Sequence, residues 1–440
     1  MGASSRAFLF QWPARLRGPV LRDALGIGAL KILAMPITLV LSIILARSLG
    51  PESYGIYAFV LSILGLVTLI LSGGLAQLLT REVAVALQQG EPCVIKGITR
   101  ASTIWVLLAS GVVLAGGSLY LSLNGSIGSD SLSRVLVTGF LALPILCLSP
   151  IWSGTLRGYG FGAKSQLPNL LLMPLVQLAL VLVLHSLEAM NARTAMAAYL
   201  LANLVVTWVG LSFMRSARTT ELILAKPVYQ IKIWAQSSFI FTNIVFVTFL
   251  NTQVGVLLLG FLSTPTAVGS YQIAERGAQF VGLTSSIIEL VLAPHVAKNH
   301  KARQKNELQK LYTQSRRYGV GVATVIALPL FFMGAPIVNF LFGEDYVEHT
   351  VSPLAILSLA LLLRACLGPC STFLTMTGNE RSTLFAQGIA LFIAILLNLI
   401  LSPSMGSTGA AWAAAAGTLV WSSLMAWQVK RKLDINLMEL

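Results

Sequence analysis

Residues 45–57 read LARSLGPESYGIY, and 214 positions later residues 259–271 read LGFLSTPTAVGSY. Both contain Pro-x-x-x-Gly-x-Tyr: Pro51, Gly55 and Tyr57 in the first, Pro265, Gly269 and Tyr271 in the second. Proline and glycine belong in any tight turn, so the residues alone say only that a turn occurs twice. Their setting says more. Each turn joins the first apolar run of a half-chain to the second run of that half. A fainter echo follows the fourth run of each half, LRGYGFGAKS (156–165) against LTMTGNERS (374–382), with Leu156 and Gly160 matching Leu374 and Gly378.

Working outward, the runs fall at about 24–46, 56–79, 101–123, 135–156, 167–187, 195–214, 236–261, 269–296, 318–342, 352–377, 383–402 and 409–429. Each is long enough for a helix to cross the hydrocarbon core, which takes roughly 20 apolar residues. The runs are continuously apolar rather than alternating, which excludes a transmembrane β-barrel. The 440 residues are 56% hydrophobic and only 10% charged, too few to coat a water-facing surface. The predicted fold is therefore an all-α polytopic membrane protein. It has about twelve transmembrane helices in two pseudo-symmetric six-helix bundles around a central cavity. The expected divisions are an N-terminal segment 1–23, a first bundle 24–214, a linker 215–235, a second bundle 236–429 and a tail 430–440. An even number of helices per half relates the repeats by an axis along the membrane normal.

The net charge of +14 is distributed by side. With loops assigned alternately, 24 of the 30 Lys and Arg share the side of the N-terminus. The richest loop holds Lys298, Lys301, Arg303, Lys305, Lys310, Arg316 and Arg317, and the tail holds Lys430, Arg431 and Lys432. The other side has Arg47, Arg134 and Arg193. The positive-inside rule then predicts that both termini are cytoplasmic. The charge reads as topology, not as nucleic-acid binding. The basic segment 1–22 lacks a cleavage site, so the first helix is expected to act as the targeting signal. Cys93, Cys147, Cys366 and Cys370 show no metal or redox spacing, with Cys366 and Cys370 expected on one helix as packing residues. No metal-ligand cluster, cofactor motif or GxxxxGK[ST] loop is present.

Residues 44–82, beginning ILARSLGPESYGIY, carry a resemblance to a known family, as do GSYQIAERGAQFVGLTSSIIELVLAPHVAK (269–298), NFLFGEDYVEHTVSPLAIL (339–357) and TGNERS (377–382). They resemble the polysaccharide biosynthesis flippases, which share a superfamily with multidrug extruders and lipid II flippases. The resemblance implies a two-lobed carrier of the bacterial cytoplasmic (inner) membrane that works by alternating access. Its substrate would be an undecaprenyl-pyrophosphate-linked oligosaccharide repeat unit, moved to the outer leaflet for O-antigen, capsule or exopolysaccharide synthesis. It implies as partners the lipid-linked anionic oligosaccharide, membrane lipids, a coupling cation (H+ or Na+) and the polymerase and chain-length proteins of an assembly system. One departure stands out: members of the family often carry an acidic residue before the LLLG end of the seventh helix, where this chain has Gly255. That departure removes the basis for a cation-coupling role at this position.

An ionisable group within the hydrocarbon is costly, about 2.5–3.5 kcal/mol for Lys or Arg on insertion scales. Arg276, Arg364 and Lys31 lie inside apolar runs, with Arg364 near the middle of the tenth. Arginine clamps phosphate with paired hydrogen bonds, so these three are expected to line the central cavity and to bind the pyrophosphate or acidic sugars. The alternatives are snorkelling for Lys31 and structural pairing with Glu275 or Glu289. Gln272, Glu275, Arg276, Gln279, Ser286 and Glu289 fall on one face of the eighth helix. Glu275 and Glu289 are the candidate ion-coupling groups; Asn251, Gln253, Gln272 and Gln279 are candidates for sugar hydroxyls, or for helix–helix hydrogen bonding. Two other classes compete: a drug extruder of the same fold, and a membrane polysaccharide polymerase. Three intramembrane bases against two acids disfavour extrusion of cations. Short outer loops, the longest near Asn124–Arg134, disfavour an enzyme. Pro36 is a candidate bending point of the first helix.

Overall fold

The computed structural model describes residues 19–123 and 131–435. The basic segment 1–18, the outer-loop residues 124–130 and the last residues 436–440 lie outside the described residues. Every regular element among the described residues is helical. Helices α1 (Pro19–Ser72) and α16 (Glu380–Leu433) each contain 54 residues. At 1.5 Å per residue that is roughly 80 Å, far more than a hydrocarbon core of about 30 Å. Each is broken once, at Gly50 (φ 72°, ψ 170°) and at Gly406 (φ 56°, ψ −130°). Only glycine takes such values without steric cost. Pro51 follows the first break, where a missing N–H is harmless. The counterpart turn lies between α10 (Ile231–Leu262) and α11 (Pro265–Lys301). There Thr264 caps α11, its Oγ1 accepting from the Ala267 N–H at 3.3 Å, and Pro265 takes the first helical position. Pro36 sits inside a helical stretch of α1 whose one departure from helical backbone is Gly50.

The remaining helices follow the expected runs, with breaks that hydropathy does not show. Helix α2 (Leu75–Gln89) continues α1 past Gly73-Gly74, and α3 is Pro92–Leu123. Helices α4 (Ser131–Phe140) and α5 (Leu143–Gly158) form one run bent by 41°. Helix α6 (Gly162–Leu167) joins α7 (Met173–Ser186) through a π-helical turn at Pro168–Leu172. Helix α8 (Ala192–Ser216) opens with a reciprocal Asn191–Thr194 capping box, and α9 (Thr220–Leu224) lies in the linker. Helices α12 (Lys305–Phe332) and α13 (Gly334–Phe342) are bent by 81°. After a short 3-10 turn come α14 (Val347–Cys366) and α15 (Cys370–Met376). Among the described residues, seven helical stretches are long and apolar enough to cross a membrane, nine if each bent pair is one span. The chain is a multi-pass, all-α membrane protein.

The tenth run is thus two helices, not one. Gly368 (φ 76°) and Pro369 end α14, so Cys366 and Cys370 lie on different helices, and Arg364 is in the last turn of α14 rather than mid-helix. A carbonyl freed by such a break inside a membrane needs a donor. That of Leu367 accepts from the Tyr312 hydroxyl at 2.5 Å and from Cys370 Sγ at 3.1 Å. The fainter sequence echo has one backbone form in both places. Phe161 N–H donates to Leu156 O at 2.9 Å and Asn379 N–H to Leu374 O at 2.9 Å, with Gly160 (φ 85°) and Gly378 (φ 77°) left-handed. These are glycine-terminated helix ends.

The principal hydrophobic core draws on both halves, from Leu41, Tyr54 and Met196 to Val256, Ile273 and Ala410, while two smaller clusters, around Trp152 and around Tyr312, each sit within one half. The halves meet where the two Pro-x-x-x-Gly-x-Tyr turns touch. A Cβ on Gly55 would overlap the Pro265 carbonyl, and one on Gly269 would lie 2.5 Å from the Pro51 carbonyl oxygen. Nearby, Tyr346 donates to the Ala46 carbonyl at 2.9 Å, and Arg47 donates to the Phe340 carbonyl. A second seam follows α1, α2 and α10: Ser62 donates to Gln253 Oε1 at 3.0 Å, and Arg81 donates to Ser237 Oγ at 2.9 Å.

Candidate functional site

Helix α11 packs against α1 on one side and α14 on the other, and cavities flank it on both sides. The larger, of about 780 Å³, is walled by α1, the α6–α8 region and the α1-facing side of α11. It follows α1 from Gly28 to Leu45, ~26 Å at helical rise, nearly the hydrocarbon thickness. Lys31 and Arg276 both line it. Nε of Arg276 is buried without a hydrogen-bond partner. The same cavity is lined by Tyr54, Tyr57, Tyr199, Asn169 and Gln177. Gln177 Nε2 donates to the Tyr57 hydroxyl at 2.7 Å, which fixes that wall in place.

The smaller cavity, of about 380 Å³, lies wholly among α10, α11, α14 and α16. Glu275, Gln279, Asn251 and Arg364 line it. The polar face of α11 expected from the sequence is therefore divided: Arg276 and Ser286 border one cavity, Glu275 and Gln279 the other. Arg364 lies 4.6 Å from the Trp421 ring centroid and 3.8 Å from Glu289. The second distance is beyond a hydrogen bond. The C-terminal end of α14 adds a favourable dipole for this cation. Glu289 and Arg364 also share a narrow cleft beside Cys370. Gln253 is engaged by Ser62 at the seam, and Gln272 is half-buried outside both cavities.

Gly255 has a spatial explanation. A Cβ there would lie 2.6 Å from the Tyr271 hydroxyl oxygen, so Tyr271 fills the volume an acidic side chain would need. The tyrosine wall and Gln177 are the lining residues that the sequence reading missed. Gln177 was within reach, as one of two amides, with Asn169, in the apolar run 167–187. Tyr57 belongs to the repeated turn.

A model of the family described as "Polysaccharide biosynthesis protein" matches residues 20–300, which takes in the repeated turn, the linker and most of α11. The chain belongs to this family. Among curated relatives, the probable low-salt glycan biosynthesis flippase Agl15 of Haloferax volcanii is 23% identical over 387 residues, covering 84% of this chain and 75% of that protein. The capsular polysaccharide biosynthesis protein CapF of Staphylococcus aureus is 26% identical over 162 residues, 37% of this chain and 41% of that relative. Among solved structures, an inward-facing multidrug resistance MATE family transporter of the MOP superfamily aligns with TM-score 0.73 at 15% identity, over 93% of this chain and 98% of its own. The lipid II flippase MurJ in an inward closed conformation aligns with TM-score 0.69 at 14% identity, over 92% and 87%. At such identities the structural likeness establishes the fold: this polysaccharide biosynthesis family member has the architecture of MOP-superfamily transporters.

Proposed function

We propose that the chain is a flippase that carries a lipid-linked, anionic oligosaccharide unit across the bacterial cytoplasmic membrane for polysaccharide synthesis. The carrying observation is Arg276, a cation with an unmet buried donor, lining the same membrane-deep cavity as Lys31. A cation there is costly, and a phosphorylated substrate would supply the acceptor that its Nε lacks. Undecaprenyl pyrophosphate is the lipid carrier this reading favours. The reciprocal fit of Gly55 and Gly269 supports two six-helix lobes, 24–214 and 236–429, joined by 215–235. Divided at Gly50 and Gly406, the nine stretches become eleven, and the polar-faced α11 supplies a twelfth crossing; the basic loops favour cytoplasmic termini. Glu289 is assigned to the coupling cation, because a cation bound there competes with Arg364 at 3.8 Å. Loss of ion-gradient dependence in Glu289→Gln, with transport retained down a substrate gradient, is the expected outcome.

Deletion should strand lipid-linked units on the inner leaflet and remove surface polysaccharide. Arg276→Glu and Lys31→Glu should each reproduce this while the protein still inserts. Normal polysaccharide in both variants overturns the reading. Normal polysaccharide with new sensitivity to cationic drugs in the deletion strain would mark a drug extruder instead.

A further inference from the structure

The smaller cavity behind α11 has a composition unlike the larger one. Two of its lining residues carry a buried side-chain atom hydrogen-bonded to nothing: the acceptor Oε2 of Glu275 and the donor Nε1 of Trp421. Unmet buried polar atoms of opposite sense call for a ligand that both donates and accepts. Asn251 commits Nδ2 to the Val247 carbonyl at 2.9 Å, which leaves its Oδ1 for a ligand. Gln387 and Thr418 add further groups of mixed character, and Leu357, Ala360 and Ala414 supply apolar wall.

A bare cation fits this wall poorly. Hard cations select oxygen acceptors, and here an indole and the cation Arg364 are among the lining residues. An anion fits poorly too, because Glu275 stands in it. A neutral polyhydroxylated ring meets every requirement: hydroxyls donate to Glu275 and Asn251, accept from Trp421 and Arg364, and leave C–H faces for the apolar wall. The volume of about 380 Å³ falls in the range of small-ligand pockets, about 300–1,000 Å³.

We propose that this cavity is a sugar subsite that receives a neutral pyranose of the carried unit, resting on the flippase reading above. Its position suits that role. Glu275 and Arg276 are successive residues whose side chains line different cavities. Gln279 borders the smaller cavity and also a cleft of about 50 Å³ that Arg276 lines. A phosphate held at Arg276 and a sugar held at Glu275 are thus neighbours around one helix, with Gln279 at the junction. Anion and glycan are read on separate faces of α11.

The test uses the purified full-length chain in nanodiscs. Saturation-transfer NMR would follow D-glucose, D-galactose, N-acetyl-D-glucosamine and D-glucuronate, with inorganic pyrophosphate and NaCl titrated separately by thermal shift. At least one neutral sugar should show transfer in the wild type. Its apparent affinity should fall fivefold or more in Trp421→Phe and in Glu275→Gln. Glu275→Gln keeps side-chain volume and Trp421→Phe keeps an aromatic ring beside Arg364, and unchanged melting temperatures would confirm folding. Pyrophosphate stabilisation should persist in both variants and vanish in Arg276→Gln, which should still bind the sugar. No transfer from any sugar to the wild type, or transfer unaffected by both variants, overturns the subsite. So does a sodium-specific stabilisation that Glu275→Gln abolishes. Absence of pyrophosphate stabilisation in the wild type strikes the anion site instead, so the two failures are told apart.

Discussion

Arg276 differs from Lys31 and Arg364 in what surrounds its charge. Lys31 is exposed on α1, and Arg364 has an indole and a carboxylate beside it. Arg276 has a buried, unmet Nε. Hydrogen bonds to charged groups contribute about 1.5–3 kcal/mol, so Arg276→Gln should lower transport by roughly 10- to 100-fold at 1.4 kcal/mol per decade. Arg276→Lys keeps the charge and loses the planar fork, and should fall between wild type and Gln. Export per inserted molecule checks both. Gly255 makes the opposite kind of prediction. Gly255→Asp forces a side chain into the volume of Tyr271, an overpacking that should cost about 1–3 kcal/mol. A lower melting temperature in detergent should be partly restored by adding Tyr271→Ala; an additive double mutant would contradict direct contact. The charged residues of both cavities were legible because ionisable groups stand out against apolar sequence. The tyrosine wall was not, because tyrosine in a membrane chain also reads as interfacial or packing residue, and only the fold brings three of them to the cavity that Arg276 lines.

Helix ends explain what the sequence could and could not convey about elements. Gly160 and Gly378 were legible, since a glycine after an apolar run ends a helix in a known way, and the echoed Leu156 and Leu374 take the same hydrogen bond in each. Proline is a weaker guide. Pro36 sits in unbroken helix, whereas Pro369 marks a break; the difference is the left-handed Gly368 beside Pro369 and the donors of Tyr312 and Cys370 that satisfy Leu367. Those donors are distant in sequence, so no local pattern announces the break that leaves Arg364 at a helix end. Tyr346 works similarly between elements, joining the turn before α14 to the end of α1's first half. Tyr346→Phe removes a buried hydrogen bond worth about 1 kcal/mol, roughly a fivefold change in an equilibrium. If this bond closes the seam, Ser42→Cys in a chain without native cysteines should react about fivefold faster with an impermeant thiol reagent added from outside. Ser42 is buried and lines the large cavity, so an unchanged rate would mean that Tyr346 is packing only.

At the scale of the molecule, a distribution of lysine and arginine predicts an orientation, and a turn repeated after 214 residues predicts a division into halves. Neither yields the contact between the halves. Both signals are linear, whereas the contact depends on two backbones approaching without side chains between them. Gly55 meets the Pro265 carbonyl and Gly269 meets the Pro51 carbonyl, so each repeat supplies the glycine for the other's proline. That reciprocity is the pattern of a two-fold interface, here within one chain. A methyl at either position must move a carbonyl that is itself part of a helix start, and a rigid helix passes that shift to its whole half. Gly55→Ala and Gly269→Ala should therefore each lower export at least tenfold, without loss of membrane insertion. Because both methyls wedge open one contact, the double variant should be little worse than either single one. Additive losses, or normal export in either single variant, would show that the two turns do not act as a shared pivot.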